Sequence, residues 1–123
     1  MKITLLSDER IRLDGRAGPL SVEADSAEMQ YSPFHMLARG LATCTSSVLA
    51  SWGTLARRPI DDIAIEVGWT FAEDPHRVGS MDVDVIWPSL PEERRTAAVR
   101  AAGLCTIKKT LETPPQGAVE VKA

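Results

Sequence analysis

The segment that most limits what this chain can become runs from Ser32 to Pro59. Ser32 followed by Pro33 reads as a helix start: a serine oxygen can accept from an early unpaired N–H, and proline at the first helical position loses nothing by lacking one. Leu37, Leu41, Cys44, Val48 and Leu55 then recur at helical spacing and share one face. Arg57 and Arg58 suit the negative end of the helix dipole, and Pro59 blocks continuation. The pattern predicts an amphipathic helix from about Pro33 to Arg57, with Cys44 mid-helix on its buried stripe.

Strand patterns flank this helix. Ile3 and Leu5, then Ile11 and Leu13, then Leu20, Val22 and Ala24 are apolar at every second position, with turn chemistry at Asp14-Gly15 and Gly18-Pro19. They predict a β-meander, followed by a polar loop up to Tyr31. Beyond the helix, Ile63, Ile65, Val67, Trp69 and Phe71 alternate strictly, and so do Met81, Val83, Val85 and Trp87 after a turn around Asp74-Pro75, which predicts an antiparallel hairpin.

Acidic residues at Glu92 and Glu93 open a second helix with an alanine-rich body from Ala97 to Ala102, which Gly103 ends or bends. Leu104, Ile107 and Leu111 then fall at helical steps, and Ala118 to Val121 reads as a last short strand. The order βββ-α-ββ-αα-β, without βαβ alternation, predicts an α+β fold with a mainly antiparallel sheet. A chain of 123 residues is expected to form a single domain over 1–123, since it is too short for two independent cores.

Charge and hydropathy remove several classes of function. Lys and Arg number 14 against 17 acidic residues, so a formal charge of −3 gives no general attraction to nucleic acid or anionic lipid. No stretch reaches the ~20 apolar residues of a membrane span. The first fifteen residues carry charges every few positions, unlike a signal peptide. The expectation is a cytoplasmic protein with neither nucleic acid nor membrane as a partner, its cysteines resting as thiols and bonding only transiently.

The chemistry-bearing residues are few. Cys44 and Cys105 stand 61 positions apart, which excludes a CxxC redox pair and a zinc knuckle. His35 and His76 are distant in sequence, and Asp82 and Asp84 read as a solvated sheet face, so no metal is expected. There is no phosphate loop, GxGxxG or nucleophile elbow, and no cofactor is expected. Trp52, Trp69 and Trp87 belong to amphipathic elements as core or interface residues, although one of them could line an apolar pocket. On spacing alone each cysteine reads more readily as a packing residue than as a reactive one.

The wording around the thiols adds a resemblance. Ser32-Pro33-Phe34-His35-Met36-Leu37-Ala38-Arg39-Gly40-Leu41-Ala42-Thr43-Cys44 is similar to the segment of the OsmC/Ohr family in which a serine- or asparagine-proline opens a helix leading through small residues to a cysteine. Leu104-Cys105-Thr106-Ile107, with Thr110-Leu111 behind it, resembles the family's second cysteine motif, and Pro59-Ile60-Asp61-Asp62-Ile63 fits the entry to its hairpin.

The resemblance implies an OsmC-like intertwined homodimer whose antiparallel sheets wrap central cysteine-bearing helices, with each site built from both subunits. It implies reduction of organic hydroperoxides or related peroxides. Cys44 would attack and become a sulfenic acid, Cys105 would resolve it as a disulfide, and an external dithiol, lipoyl-type in character, would reduce that disulfide. A thiol in an apolar site needs a positive charge to ionise. In active relatives an arginine from the N-terminal strands supplies it, oriented by a glutamate in the first turn of the cysteine helix. Arg10, Arg12 and Arg16 lie in that region, and position favours Arg12. The glutamate is missing: Phe34 and His35 stand ten and nine places before Cys44, leaving His35 as the candidate polar partner. The departure raises an alternative, a catalytically degenerate OsmC-like dimer that keeps its apolar pocket for a small ligand.

Overall fold

Two strand pairs and three helices make up the described part of the computed structural model, which comprises the backbone of Lys2–Leu5 and Ile11–Asp14 and, with side chains, residues 32–122. Strand β1 (Lys2–Leu5) pairs antiparallel with β2 (Ile11–Asp14), Lys2 opposite Asp14 and Leu5 opposite Ile11. These are the first two strands of the expected meander. Its third strand around Val22, the loop to Tyr31, Arg10, Arg16 and the side chain of Arg12 lie outside the described residues.

Helix α1 spans Pro33–Leu55. Ser32 caps it in extended conformation, its Oγ accepting the His35 N–H at 3.2 Å, with Pro33 in the first turn. Its end differs from the expectation. Ala56 is the cap and Arg57 turns left-handed at φ 56°, so neither arginine belongs to the last turn. The Arg57 N–H then reaches the Thr54 carbonyl at 3.1 Å and the Arg58 N–H the Gly53 carbonyl at 2.8 Å. This pair of bonds is a Schellman ending, which closes the helix through two of its last carbonyls before Pro59.

The buried line of α1 is also displaced from the one that large apolar residues suggest. Ala38, Leu41, Thr45, Leu49 and Gly53 face inward, while Cys44 and Val48 are half-buried and Leu55 is 86% exposed. Small residues occupy this line because other elements come close to it. A Cβ on Gly53 would lie 2.8 Å from both Ile60 Cγ2 and the Trp87 ring.

Strands β3 (Ala64–Ala72) and β4 (Arg77–Ile86) form the expected antiparallel hairpin. Ile65, Val67 and Trp69 are half-buried on the face toward α1, and Glu66 and Asp84 stand opposite one another on the exposed face. The alternation breaks where Thr70 pairs with Ser80 but Phe71 pairs with Val78, leaving Gly79 as a bulged residue. A Cβ there would meet the Ala72 Cβ at 2.7 Å, so the bulge needs glycine. Beyond it Phe71 is exposed rather than inward.

A 3-10 turn at Glu92–Arg94 leads into α2 (Arg95–Ala102), which Gly103 ends, and Cys105 opens α3 (Thr106–Glu112). Residues Ala118 to Val121 are not a strand: none of the described residues pairs with them, and Val119 and Val121 are 97% exposed. The core gathers Leu49, Trp87, Leu90, Ala98 and Ala101, flanked by Trp52, Ile60 and Ile63. The Trp87 indole N–H donates to the Pro59 carbonyl at 2.9 Å, and Asp62 accepts from the Ser89 N–H at 2.7 Å and the Ser89 hydroxyl at 2.8 Å. The Ser89 bonds hold the Asp62 carboxyl below its ordinary range and clamp the two ends of the hairpin together. Among the described residues no helix is long and apolar enough to cross a membrane.

Candidate functional site

Cys44 and Cys105 reach one another because α3 packs on α1. The half-buried Cys44 lies beside the inward line of α1, and Cys105 follows the Gly103 turn as the N-cap residue of α3. Both are free thiols, and Cys105 is completely buried. The Cys105 sulfur accepts the Lys108 N–H at 3.5 Å, and Cys44 and the buried Thr45 of α1 are its side-chain partners. Burial pushes the Cys105 thiol up, but the hydrogen bonds from Cys44, the Lys108 and Ile107 amides and Thr45 outweigh it, so Cys105 sits below the ordinary thiol value.

An apolar groove of about 440 Å³ opens on the Cys44 side of α1. Leu37 and Leu41, two turns and one turn before Cys44, form one wall, Val78, Met81 and Val83 of β4 another, and Leu111 of α3 closes it. Among the described residues the charges at its rim are Lys108 and Glu112, which are paired with each other.

His35 lies apart from the thiols. His35 is nine residues before Cys44, roughly 13 Å of helix rise. Its Nδ1 is 2.7 Å from the Ser32 hydroxyl, and its ring stands edge-on to Trp69 at 5.2 Å. With Arg39, Thr43 and Trp69 it lines a separate hollow of about 350 Å³ between α1 and β3. Phe34 packs edge-on against Phe71 at 5.0 Å, and Phe71 stacks on His76 at the hairpin tip. The backbone of Arg12 belongs to β2. Among the described residues no three His, Cys, Asp or Glu side chains gather as metal ligands.

Two participants escape a sequence reading. Thr45 looks like a neutral neighbour of Cys44, and only a polar residue on the inward line of a helix hints at its hydroxyl's task. The Lys108 amide contributes through its backbone, which no side-chain pattern displays.

A family model described as OsmC-like protein matches residues 23–120. The chain belongs to the OsmC-like protein family. Among solved structures, the fold of this OsmC-like protein is similar to that of an osmotic stress induced and detoxification response protein from Psychrobacter arcticus 273-4. That likeness has a TM-score of 0.61 and 22% identity, covering 68% of this chain and 62% of the other. The chain thus spans less than two thirds of that relative's length, and the likeness speaks for the α+β fold alone. No curated protein matches it.

Proposed function

We propose that this OsmC-like protein is a thiol-dependent reductase of organic hydroperoxides that works as a cytoplasmic homodimer. The observation that carries the reading is the pairing of half-buried Cys44 with fully buried Cys105 beside an apolar groove. The partly exposed sulfur is the one a peroxide can reach, so Cys44 attacks the peroxide oxygen, releases the alcohol and becomes a sulfenic acid. Cys105, held next to it, displaces water from that acid to form the disulfide, and an external dithiol restores both thiols. The groove accommodates the organic part of the substrate. Arg12 is the candidate cation for the thiolate by its place on β2. Exposed Met36, Leu55, Val99 and Leu104 support a second copy of the chain as the partner.

A specific observation favours a second reading. Phe34 and His35 stand where active relatives carry glutamate in the first turn of the helix, and Phe34 packs on Phe71 while His35 stands against Trp69. A dimer that has lost peroxidase chemistry would still keep the groove for a small apolar ligand. Assay of an organic hydroperoxide with a lipoyl-type dithiol, beside Cys44→Ser and Cys105→Ser, separates the two. Turnover that vanishes with Cys44, with a two-hydrogen mass loss after one oxidant equivalent, supports the reductase. No turnover and no mass change rejects it in favour of the ligand-binding dimer.

A further inference from the structure

We infer that residues 118–122 become a strand on a second copy of this chain, lying antiparallel along the open edge of its β4. The inference rests on the second copy named in the proposed function and on none of the chemistry proposed for it.

The segment is patterned as a strand and has no sheet. It leaves α3 through Thr113, at φ −127° and ψ 79°, and through Pro114-Pro115, a pair that keeps the chain extended and stiff. An extended chain carries Val119 roughly 20 Å beyond Thr113. There Val119 and Val121 are 97% exposed on one side of the chain, with Glu120 and Lys122 on the other. A single exposed valine is ordinary. Two at alternate positions, on a segment exposed along its whole length, make the apolar face of an unpaired strand.

Strand β4 offers the matching edge. It pairs with β3 on one side, and among the described residues nothing pairs with the other. A groove of about 510 Å³ follows β4 from Val83 to Trp87 and is bounded by α2, with Val85 36% and Val99 70% exposed in its wall. No β3 residue lines it, so it opens on the far side of β4. A strand added there in the same pleat turns Val119 and Val121 into the groove beside Val83, Val85 and Trp87. It turns Glu120 and Lys122 outward, beside Asp82, Asp84 and Ile86.

Charge selects the direction and the register. Glu66 stands opposite Asp84, and Asp82 follows on the same face. The one arginine or lysine of residues 64–86 is Arg77, at the hairpin tip, donating to the carbonyls of Glu73 and Pro75. Like charges opposite one another weaken strand pairing, and a cation beside them relieves it. With Lys122 opposite Asp84 in an antiparallel strand, the ammonium joins these acids, Val121 meets Val85, and Glu120 falls opposite Ile86. Arg95, which lines the same groove, is then the cation available to Glu120. A parallel strand beside Val83 or Val85 sets Glu120 against Asp82 or Asp84, and so does an antiparallel slip of two residues toward Val83.

The test joins Lys122 to its neighbour. Nitrogen-15-labelled and unlabelled chains are refolded together, treated with a carbodiimide, which links an amine to a carboxylate without a spacer, and digested for mass spectrometry, while sedimentation gives the oligomeric state. The expected product is a Lys122–Asp84 peptide with one half labelled and the other not. The amides of residues 118–122 should also exchange about tenfold or more slowly compared with a free chain. Both signals should vanish in Val119→Asp/Val121→Asp, whose exposed positions leave the subunit fold intact. Linked peptides of a single isotope would mean that the segment folds back on its own β4, and no link with free-chain exchange would mean that it docks nowhere; either result overturns the proposal. A dimer in sedimentation without the mixed peptide removes this strand and leaves the homodimer standing, whereas a single subunit removes both.

Discussion

The two halves of α1 meet different surroundings. Toward its C-terminus Leu49 has no exposed surface, Gly53 touches Ile60 and Trp87, and Trp52 stands edge-on to Trp87 at 5.9 Å. Toward its N-terminus Phe34, Met36 and Leu37 are 37 to 47% exposed, a hollow opens on either side, and an added Cβ at Gly40 would touch none of the described residues within 4 Å. One half is anchored in the core and carries stability. The other is open to a ligand or a second copy, and Cys44 stands where the two regimes meet. A reactive residue placed there has its backbone fixed by a packed helix while its sulfur stays reachable, a combination that neither half offers alone.

The sharpest way to break this division is to cross it with one substitution on each side. Cys44→Ser should lower hydroperoxide turnover by about a thousandfold or more while leaving thermal unfolding nearly unchanged, because one half-buried chalcogen replaces another. Leu49→Ala should do the reverse: a loss of about 2–5 kcal/mol in denaturant unfolding, with turnover per folded molecule preserved. If Cys44→Ser unfolds the protein, or Leu49→Ala slows the chemistry of molecules that remain folded, the two halves are not separate in the way the packing suggests.

Gly53→Ala probes the anchored half more finely. The new methyl would press on Ile60 and Trp87 at 2.8 Å, closer than real Cβ contacts come, so the core must shift. A loss of about 1–3 kcal/mol in chemical denaturation is expected, despite the better helix propensity of alanine. A neutral or stabilised variant would mean that Trp87 can retreat and that this contact is not what holds α1 to the hairpin.

Legibility in the sequence follows the same boundary between local and distant causes. The start of α1 and the course of the hairpin were readable because a serine cap, a proline and strict alternation act within a few residues. The inward line of α1 was not, because Ala38, Thr45 and Gly53 are buried by what lies across from them, and hydrophobicity singles out Leu37 and Leu55 instead. The bulge at Gly79 escaped for the same reason, since it depends on its partner Ala72. The strand expected at Ala118–Val121 has an alternating pattern, but alternation supplies no edge to pair with. Within the candidate site, local wording pointed to both cysteines through resemblance, yet nothing in a spacing of 61 positions shows that they touch. Their meeting requires the Gly103 turn and the packing of α3 on α1, and the donors around Cys105 become visible only once it has occurred.

The smallest expected effect bears on the open half. Gly40 lies in the interior of α1, is exposed and meets no neighbour among the described residues, so the same change that should harm at Gly53 should help here. Gly40→Ala removes backbone freedom from the unfolded chain and adds a good helix former, which should raise stability by about 0.5–1 kcal/mol. The sign matters more than the size. Measured by thermal unfolding at two protein concentrations, a gain independent of concentration would show that nothing packs on this turn. A loss that deepens on dilution would place the Gly40 turn against a second copy of the chain, since only an association responds to protein concentration in that way. The open half would then be open only in the isolated subunit, and Cys44 would lie between its own core and the partner's surface.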